Sequence, residues 1–334
     1  MDKFATISAT VLLMAVLAGG CIQNDNREQY QPAQSTTTLK GFSLSPKSFQ
    51  QDDFTEFFET ARLGGGGIIS WNGDWNELGT TGANGAPYVI AALSSKYGYT
   101  PLIELQLFSQ DDGMLIRQLN ETTRERYKES VVAFSKKCKP EYIAVGIEVN
   151  VLYEKSPEDF REFAGFYEEV YDAVKAESPN TKIFTVFQLE KMKGLNGGLF
   201  GGENNVSDSQ WHILERFPKA DIIAFTTYPG LVYKDPSEIP KEYYSEIRLH
   251  TSKPVAFTEV GWHSSARPIG WESNGPEQAE FVGRFFNLTH GLGAEFTVWS
   301  FLYDQDVQEP FNSMGLRFAN GTMKQAWDAW IVAG

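Results

Sequence analysis

Tyr-Ile-Ala-Val-Gly-Ile-Glu-Val-Asn (142–150) and Pro-Val-Ala-Phe-Thr-Glu-Val-Gly-Trp (254–262) decide how this chain reads. Each is a short apolar run bounded by turn residues, with one glutamate, Glu148 or Glu259, near its C-terminal end. Apolar runs of this length read as strands of a buried parallel sheet. A carboxylate is costly in a buried strand unless it is paired or hydrogen-bonded. In a barrel of parallel strands the C-terminal ends form the active face. Two carboxylates there are what cleavage of a glycosidic bond requires.

Outward from these stretches the same rhythm covers the chain. Apolar runs fall at 40–45, 67–71, 101–108, 142–149, 182–189, 221–228, 254–260 and 295–302. Helix-like segments fall near 50–62, 86–97, 121–137, 157–178, 208–217, 237–249, 275–291 and 322–332. In the fourth of these segments Phe160, Phe163, Ala164, Tyr167, Val170, Tyr171 and Val174 recur at three- and four-residue spacing, one apolar stripe for packing on a sheet. Eight strand–helix repeats without an antiparallel interlude imply an α/β fold, and a single (β/α)8 barrel is the natural eight-unit solution. The alternative is an open doubly wound sheet. Its nucleotide-binding version needs a glycine-rich turn after the first strand, where this chain has Ser45-Pro46-Lys47-Ser48. Gly64–Gly67 precedes a strand instead and reads as a turn.

Strand alternation aims Ala144, Gly146 and Glu148 at one face and Val145, Ile147 and Val149 at the other. Small residues suit a crowded barrel interior, so Glu148 is expected at the mouth and Ile147 in the helix layer. Glu259 shares parity with Phe257 and Gly261. Aromatic residues gather near the strand ends: Trp71, Tyr228, Trp262 and Trp299. Indole faces suit sugar rings, and a tyrosine hydroxyl donates to a carboxylate. Gln188 and His263 are further candidates for the cleft. Glu190, just past the fifth strand, reads as a rim salt bridge or a substrate contact.

The motifs Gly146-Ile147-Glu148, Ala224-Phe225-Thr226-Thr227-Tyr228-Pro229, Phe257-Thr258-Glu259-Val260-Gly261-Trp262 and Val298-Trp299-Ser300 resemble the clan of retaining glycoside hydrolases with carboxylates on the fourth and seventh strands. The resemblance spans most of 39–332. Within the clan the chain is similar to family 53 endo-β-1,4-galactanases and family 113 β-mannanases. It implies Glu148 as acid/base, Glu259 as nucleophile, Tyr228 as hydrogen-bond partner of Glu259, and Trp299 as a sugar platform. The clan commonly carries Asn immediately before the acid/base, for the sugar 2-hydroxyl. Here Ile147 stands there, and Asn150 shares the parity of Glu148 and is the expected substitute. If that contact is missing, the alternative is a non-catalytic carbohydrate-binding lipoprotein on a decayed barrel. A transglycosidase would use the same two glutamates.

The 334 residues suffice for one barrel of about 250 residues. A net charge of −14 excludes nucleic acid, whose phosphates call for a basic surface. His212, His250, His263 and His290 form no His-x-His or His-Glu-x-x-His pattern, so neither metal nor cofactor is expected. Asp304, Asp306 and Glu309 read as a solvated acidic loop or an oxygen set for Ca²⁺. At the start, Lys3, an apolar stretch 11–17 and Leu17-Ala18-Gly19-Gly20-Cys21 resemble a lipoprotein signal. This implies a signal peptide at 1–20, a lipid on Cys21 and membrane attachment at the cell surface. Residues 21–38 are polar and read as a tether, with a glycoside hydrolase-like domain at 39–334. The partners expected are a polysaccharide or oligosaccharide and the membrane.

Overall fold

The computed structural model describes residues 38–79 and 85–333. The expected signal peptide, Cys21 and the expected tether up to residue 37 lie outside the described residues. Nine parallel strands occur in the order β1 (Leu39–Ser43), β2 (Ile68–Asp74), β3 (Thr100–Gln106), β4 (Tyr142–Val145), β5 (Lys182–Phe184), β6 (Val186–Gln188), β7 (Ile223–Thr227), β8 (Val255–Val260) and β9 (Phe296–Trp299). They pair as β5-β4-β3-β2-β1-β9-β8-β7-β6. Thr185 alone separates β5 from β6, so these are two halves of one position and the sheet closes on itself. Closure is sealed by Val186 N–H donating to Gly146 O at 3.1 Å. The fold is the (β/α)8 barrel, and each of the eight apolar runs supplies one barrel position.

Helices α1 (Gln51–Leu63), α2 (Ala86–Tyr97), α3 (Glu121–Cys138), α4 (Val149–Lys155), α5 (Pro157–Glu177), α6 (Leu189–Met192), α7 (Ile247–His250), α8 (Gly275–Thr289) and α9 (Gln325–Val332) accompany the strands. Asn120 and Asn274 cap α3 and α8, accepting from Thr123 N–H and Glu277 N–H, both at 3.0 Å. The aromatic stripe of α5 is buried at Phe160, Phe163, Tyr167, Val170 and Val174. The helix-like segment at 208–217 forms a short 3-10 helix at Trp211–Arg216, and 237–249 reduces to the end of a 3-10 turn, plain turns and the one-turn helix α7. Among the described residues no helix is long and apolar enough to cross a membrane.

The barrel interior is a second apolar core, distinct from the helix–sheet core. Tyr142, Ala144, Phe184, Ala224, Ala256 and Phe296 belong to it. Tyr142 and Phe296 meet edge to face at 4.8 Å between ring centroids. Beneath them Glu295 accepts from Lys182 Nζ and Tyr142 Oη, which closes the lower end.

One strand expectation needs correction. The run 142–149 is not a continuous strand: β4 ends at Val145, and the chain turns through Gly146 (φ +96°) and Glu148 (φ +53°) into α4. Alternation fails across that turn. Ile147 therefore belongs to the barrel interior rather than the helix layer.

Candidate active site

At the C-terminal ends of the strands lies a cleft of about 460 Å³, within the range of small-molecule sites. Glu148 and Glu259 both line it. Glu148 reaches it from a left-handed backbone conformation, which costs a non-glycine residue about 1–3 kcal/mol. Gly146 makes that turn possible. A Cβ at Gly146 would sit 2.8 Å from both Phe163 Cζ and Val149 Cγ1. The turn is pinned by Gly146 N–H to Leu105 O at 3.1 Å and by Thr185 Oγ1 to Gly146 O at 3.0 Å.

Glu259 reaches the cleft through a β-bulge. Phe225 pairs with Phe257, yet Thr226 pairs with Glu259, so Thr258 is an extra residue in the ladder. Without the bulge Glu259 would follow Phe257, whose ring faces Tyr244 and Phe285 in the helix layer. The bulge re-aims it inward, beside Thr226.

Each carboxyl has two donors. Glu148 Oε1 accepts from Thr226 Oγ1 at 2.6 Å and from Gln188 Nε2 at 3.3 Å. Glu259 accepts from Asn72 Nδ2 at 3.2 Å and from Tyr228 Oη. Burial pushes Glu148 above the usual carboxylate range, against the opposing pull of Thr226, Gln188 and Lys191. Burial also pushes Glu259 up, with the Glu148 charge adding and Tyr228 and Asn72 opposing. The two donors favour the Glu259 anion but only partly offset burial, which leaves its pKa raised to about 7. The Thr226 hydroxyl can accept as well as donate, so Glu148 keeps a partner with or without its proton. Ser300 Oγ lies 3.0 Å from Tyr228 Oη and 2.9 Å from Val260 O, which fixes the phenol against Glu259.

Of the predicted binding residues, Tyr228, Gln188 and Trp71 line the cleft with the two glutamates. Four others do not. Trp299 is fully buried in the helix–sheet core, where its indole N–H donates to Met314 O at 2.8 Å. Its neighbour Val298 packs inside the barrel, so alternation turns Trp299 outward. Trp262 is also fully buried, stacked on Phe281 at 5.0 Å and donating to Ser273 Oγ. His263 is buried with Nε2 2.8 Å from Trp271 O. Asn150 does not replace the missing asparagine. Its amide clasps the Gln188 backbone, accepting from N–H at 2.7 Å and donating to O at 3.0 Å. Ile147 lines the cleft where the amide was sought.

Several site residues were missed. Asn72 and Thr226 touch the two glutamates directly. Alternation along β2 from Ile68, an interior residue, would have found Asn72. Glu104 on β3 is a third carboxyl, fully buried in the barrel and accepting from Ser70 Oγ. Burial and the charge of Glu259 push it well above its ordinary range. Burial of this kind favours the neutral form of the carboxyl. Glu190 is no rim salt bridge: it is fully buried and bonded to neutral donors. Asp304 is bonded to Lys324 Nζ and Gly315 N–H. Among the described residues no group of three or more His, Cys, Asp or Glu could hold a metal ion.

No family model matches the chain, and no curated protein matches it. Solved structures do. A family 39 glycoside hydrolase from Bacteroides cellulosilyticus WH2 is similar at 17% identity and TM-score 0.62, over 89% of this chain and 64% of that one. An exo-β-1,4-mannosidase from Opitutaceae bacterium strain TAV5 gives 15% and 0.64, over 88% and 58%. A GH5_18 protein from Streptomyces cattleya in complex with GlcNAc gives 14% and 0.64, over 88% and 79%. The chain thus spans less than two thirds of the length of the first two. At these identities the likeness is one of fold, the (β/α)8 barrel.

Proposed function

We propose that this protein is a retaining glycoside hydrolase acting on β-linked glycans, of endo-β-1,4-galactanase or β-mannanase type. The observation that carries the reading is the convergence of Glu148 and Glu259 on one cleft, with Tyr228 and Asn72 bonded to Glu259. The chemistry is double displacement. Glu259 attacks the anomeric carbon as the bond to the leaving oxygen breaks, and Glu148 gives that oxygen its proton. Glu148 then takes a proton from water, whose oxygen attacks the same carbon and releases Glu259. The Glu148–Glu259 repulsion favours one shared proton over two charges, which suits this division of labour. The solved structures of similar fold include glycoside hydrolases, which agrees with the reading. The protein is further proposed to be exported and held at the cell surface by a lipid on Cys21.

Ile147 in the cleft and Asn150 turned away from it favour a second reading, a carbohydrate-binding lipoprotein without turnover. Reducing-sugar release from β-1,4-galactan, mannan, glucan and xylan, with Glu259→Gln as control, separates the two. Release that vanishes in the variant supports the hydrolase, and proton NMR of the first product gives its anomeric configuration. Binding without release by the folded wild type supports the second reading.

A further inference from the structure

The segment Gln188–Glu190, from the end of β6 into α6, touches both halves of the site. The side chain of Gln188 donates to Glu148, and its backbone is clasped by Asn150. Two residues on, Glu190 turns away from the cleft, fully buried. Its Oε1 accepts three hydrogen bonds, from Tyr243 Oη at 2.7 Å, Thr227 Oγ1 at 2.8 Å and Tyr228 N–H at 3.0 Å. All three donors are neutral. Burying a carboxyl for neutral donors is expensive. What the carboxyl supplies is an acceptor where β7 ends. There the chain passes from the ladder into the turn beginning at Pro229, and the Tyr228 N–H needs a partner.

We propose that Glu190 is a positioning residue that fixes the end of β7 so that the Tyr228 hydroxyl bears on Glu259. The inference rests on the reading of Glu259 as nucleophile, and it adds a residue that never touches the substrate. Gln188 and Glu190 then make one short segment the common reference for both carboxyls, one directly and one through Tyr228. The geometry also sets what can replace Glu190. Because all three bonds land on Oε1, a glutamine oxygen can receive them, whereas alanine leaves three buried donors without an acceptor.

The test reads the ionisation of Glu259 by carbon-13 NMR of glutamate-labelled protein, with Glu259→Gln used to assign the signal. Tyr228→Phe removes a donor to the anion and raises the titration midpoint. Glu190→Ala is expected to raise it in the same direction, with no further rise in the Glu190→Ala/Tyr228→Phe double variant. Glu190→Gln is expected to restore the wild-type midpoint. Tyr243→Phe, which removes one donor from Glu190, gives a milder rise and serves if Glu190→Ala does not fold. Where the wild type hydrolyses glycan, kcat/KM falls about tenfold or more in Glu190→Ala and recovers in Glu190→Gln.

A lowered midpoint in Glu190→Ala would mean that Glu190 acts only as a nearby negative charge, and it overturns the proposal. So does a rise fully additive with Tyr228→Phe, or an unchanged midpoint in both Glu190→Ala and Tyr243→Phe. A wild type inactive on every glycan removes the hydrolase reading alone, since Glu259 titrates in any folded sample.

Discussion

At the base of the barrel, Tyr142, Phe184 and Phe296 fill the interior by plain strand alternation, and β4 pairs with β5 without a break in register. At the mouth, alternation fails at both glutamates. Glu148 arrives after a turn with two positive φ angles, and Glu259 arrives on a bulge. The two ends use the same strands for different purposes. Regular pairing buries rings and stores stability. Irregular backbone lets a side chain leave the face that its number in the strand would give it, and this brings both acids to one cleft.

The largest effect that could break this contrast is on activity. Glu148→Gln is expected to lower kcat by about 10²–10⁴-fold on glycans with poor leaving groups, with the melting temperature kept or raised. Phe296→Ala at the base should do the reverse. It costs about 3–5 kcal/mol in urea unfolding, while the kcat of the folded fraction stays near wild type. If Phe296→Ala instead abolished activity in folded protein, base and mouth would not be separable.

Gly146→Ala sharpens the comparison, because it strikes the backbone that makes the mouth irregular. A Cβ there meets Phe163 and Val149, and φ is +96°. We expect a loss of about 1–3 kcal/mol together with a kcat deficit, measured by denaturation and by initial rates.

The pH dependence of stability follows from the mouth and its underlying layer. Glu259, Glu148, Glu104 and Glu190 all have folded pKa values above the ordinary 4.5, each pushed up chiefly by burial. Between the unfolded and folded values the native state holds more protons than the unfolded chain. Their contribution is therefore fully present below about pH 4.5 and is lost as pH rises through each folded value. The melting temperature should fall from mildly acid pH toward alkaline pH, and less steeply in Glu104→Gln. A flat profile would mean that these carboxyls are better solvated than their burial implies.

The smallest effect tests the tryptophans. Trp71→Phe should raise KM for the glycan and lower the melting temperature as well, since Trp71 lines the cleft but is buried in the helix–sheet core. Trp299→Phe should lower the melting temperature and leave KM alone, since its indole belongs to the core. A raised KM in Trp299→Phe would return Trp299 to the sugar site.

The sequence by itself determined the eight-unit barrel, the order of its strands and the placing of Glu148, Glu259 and Tyr228 at one end. These follow from the period of apolar residues and from turn residues between them, and both are local properties of the chain. Tertiary structure decided which way residues face once alternation breaks. Thr258 becomes an extra residue only against the register of β7, and Ile147 turns inward only because β4 stops at Val145. It also decided that Asn150 serves Gln188, that Trp299 and Trp262 serve the core, and that Glu104 and Glu190 are buried. A side chain's partners come from strands and helices distant in sequence, and no pattern within its own segment encodes them.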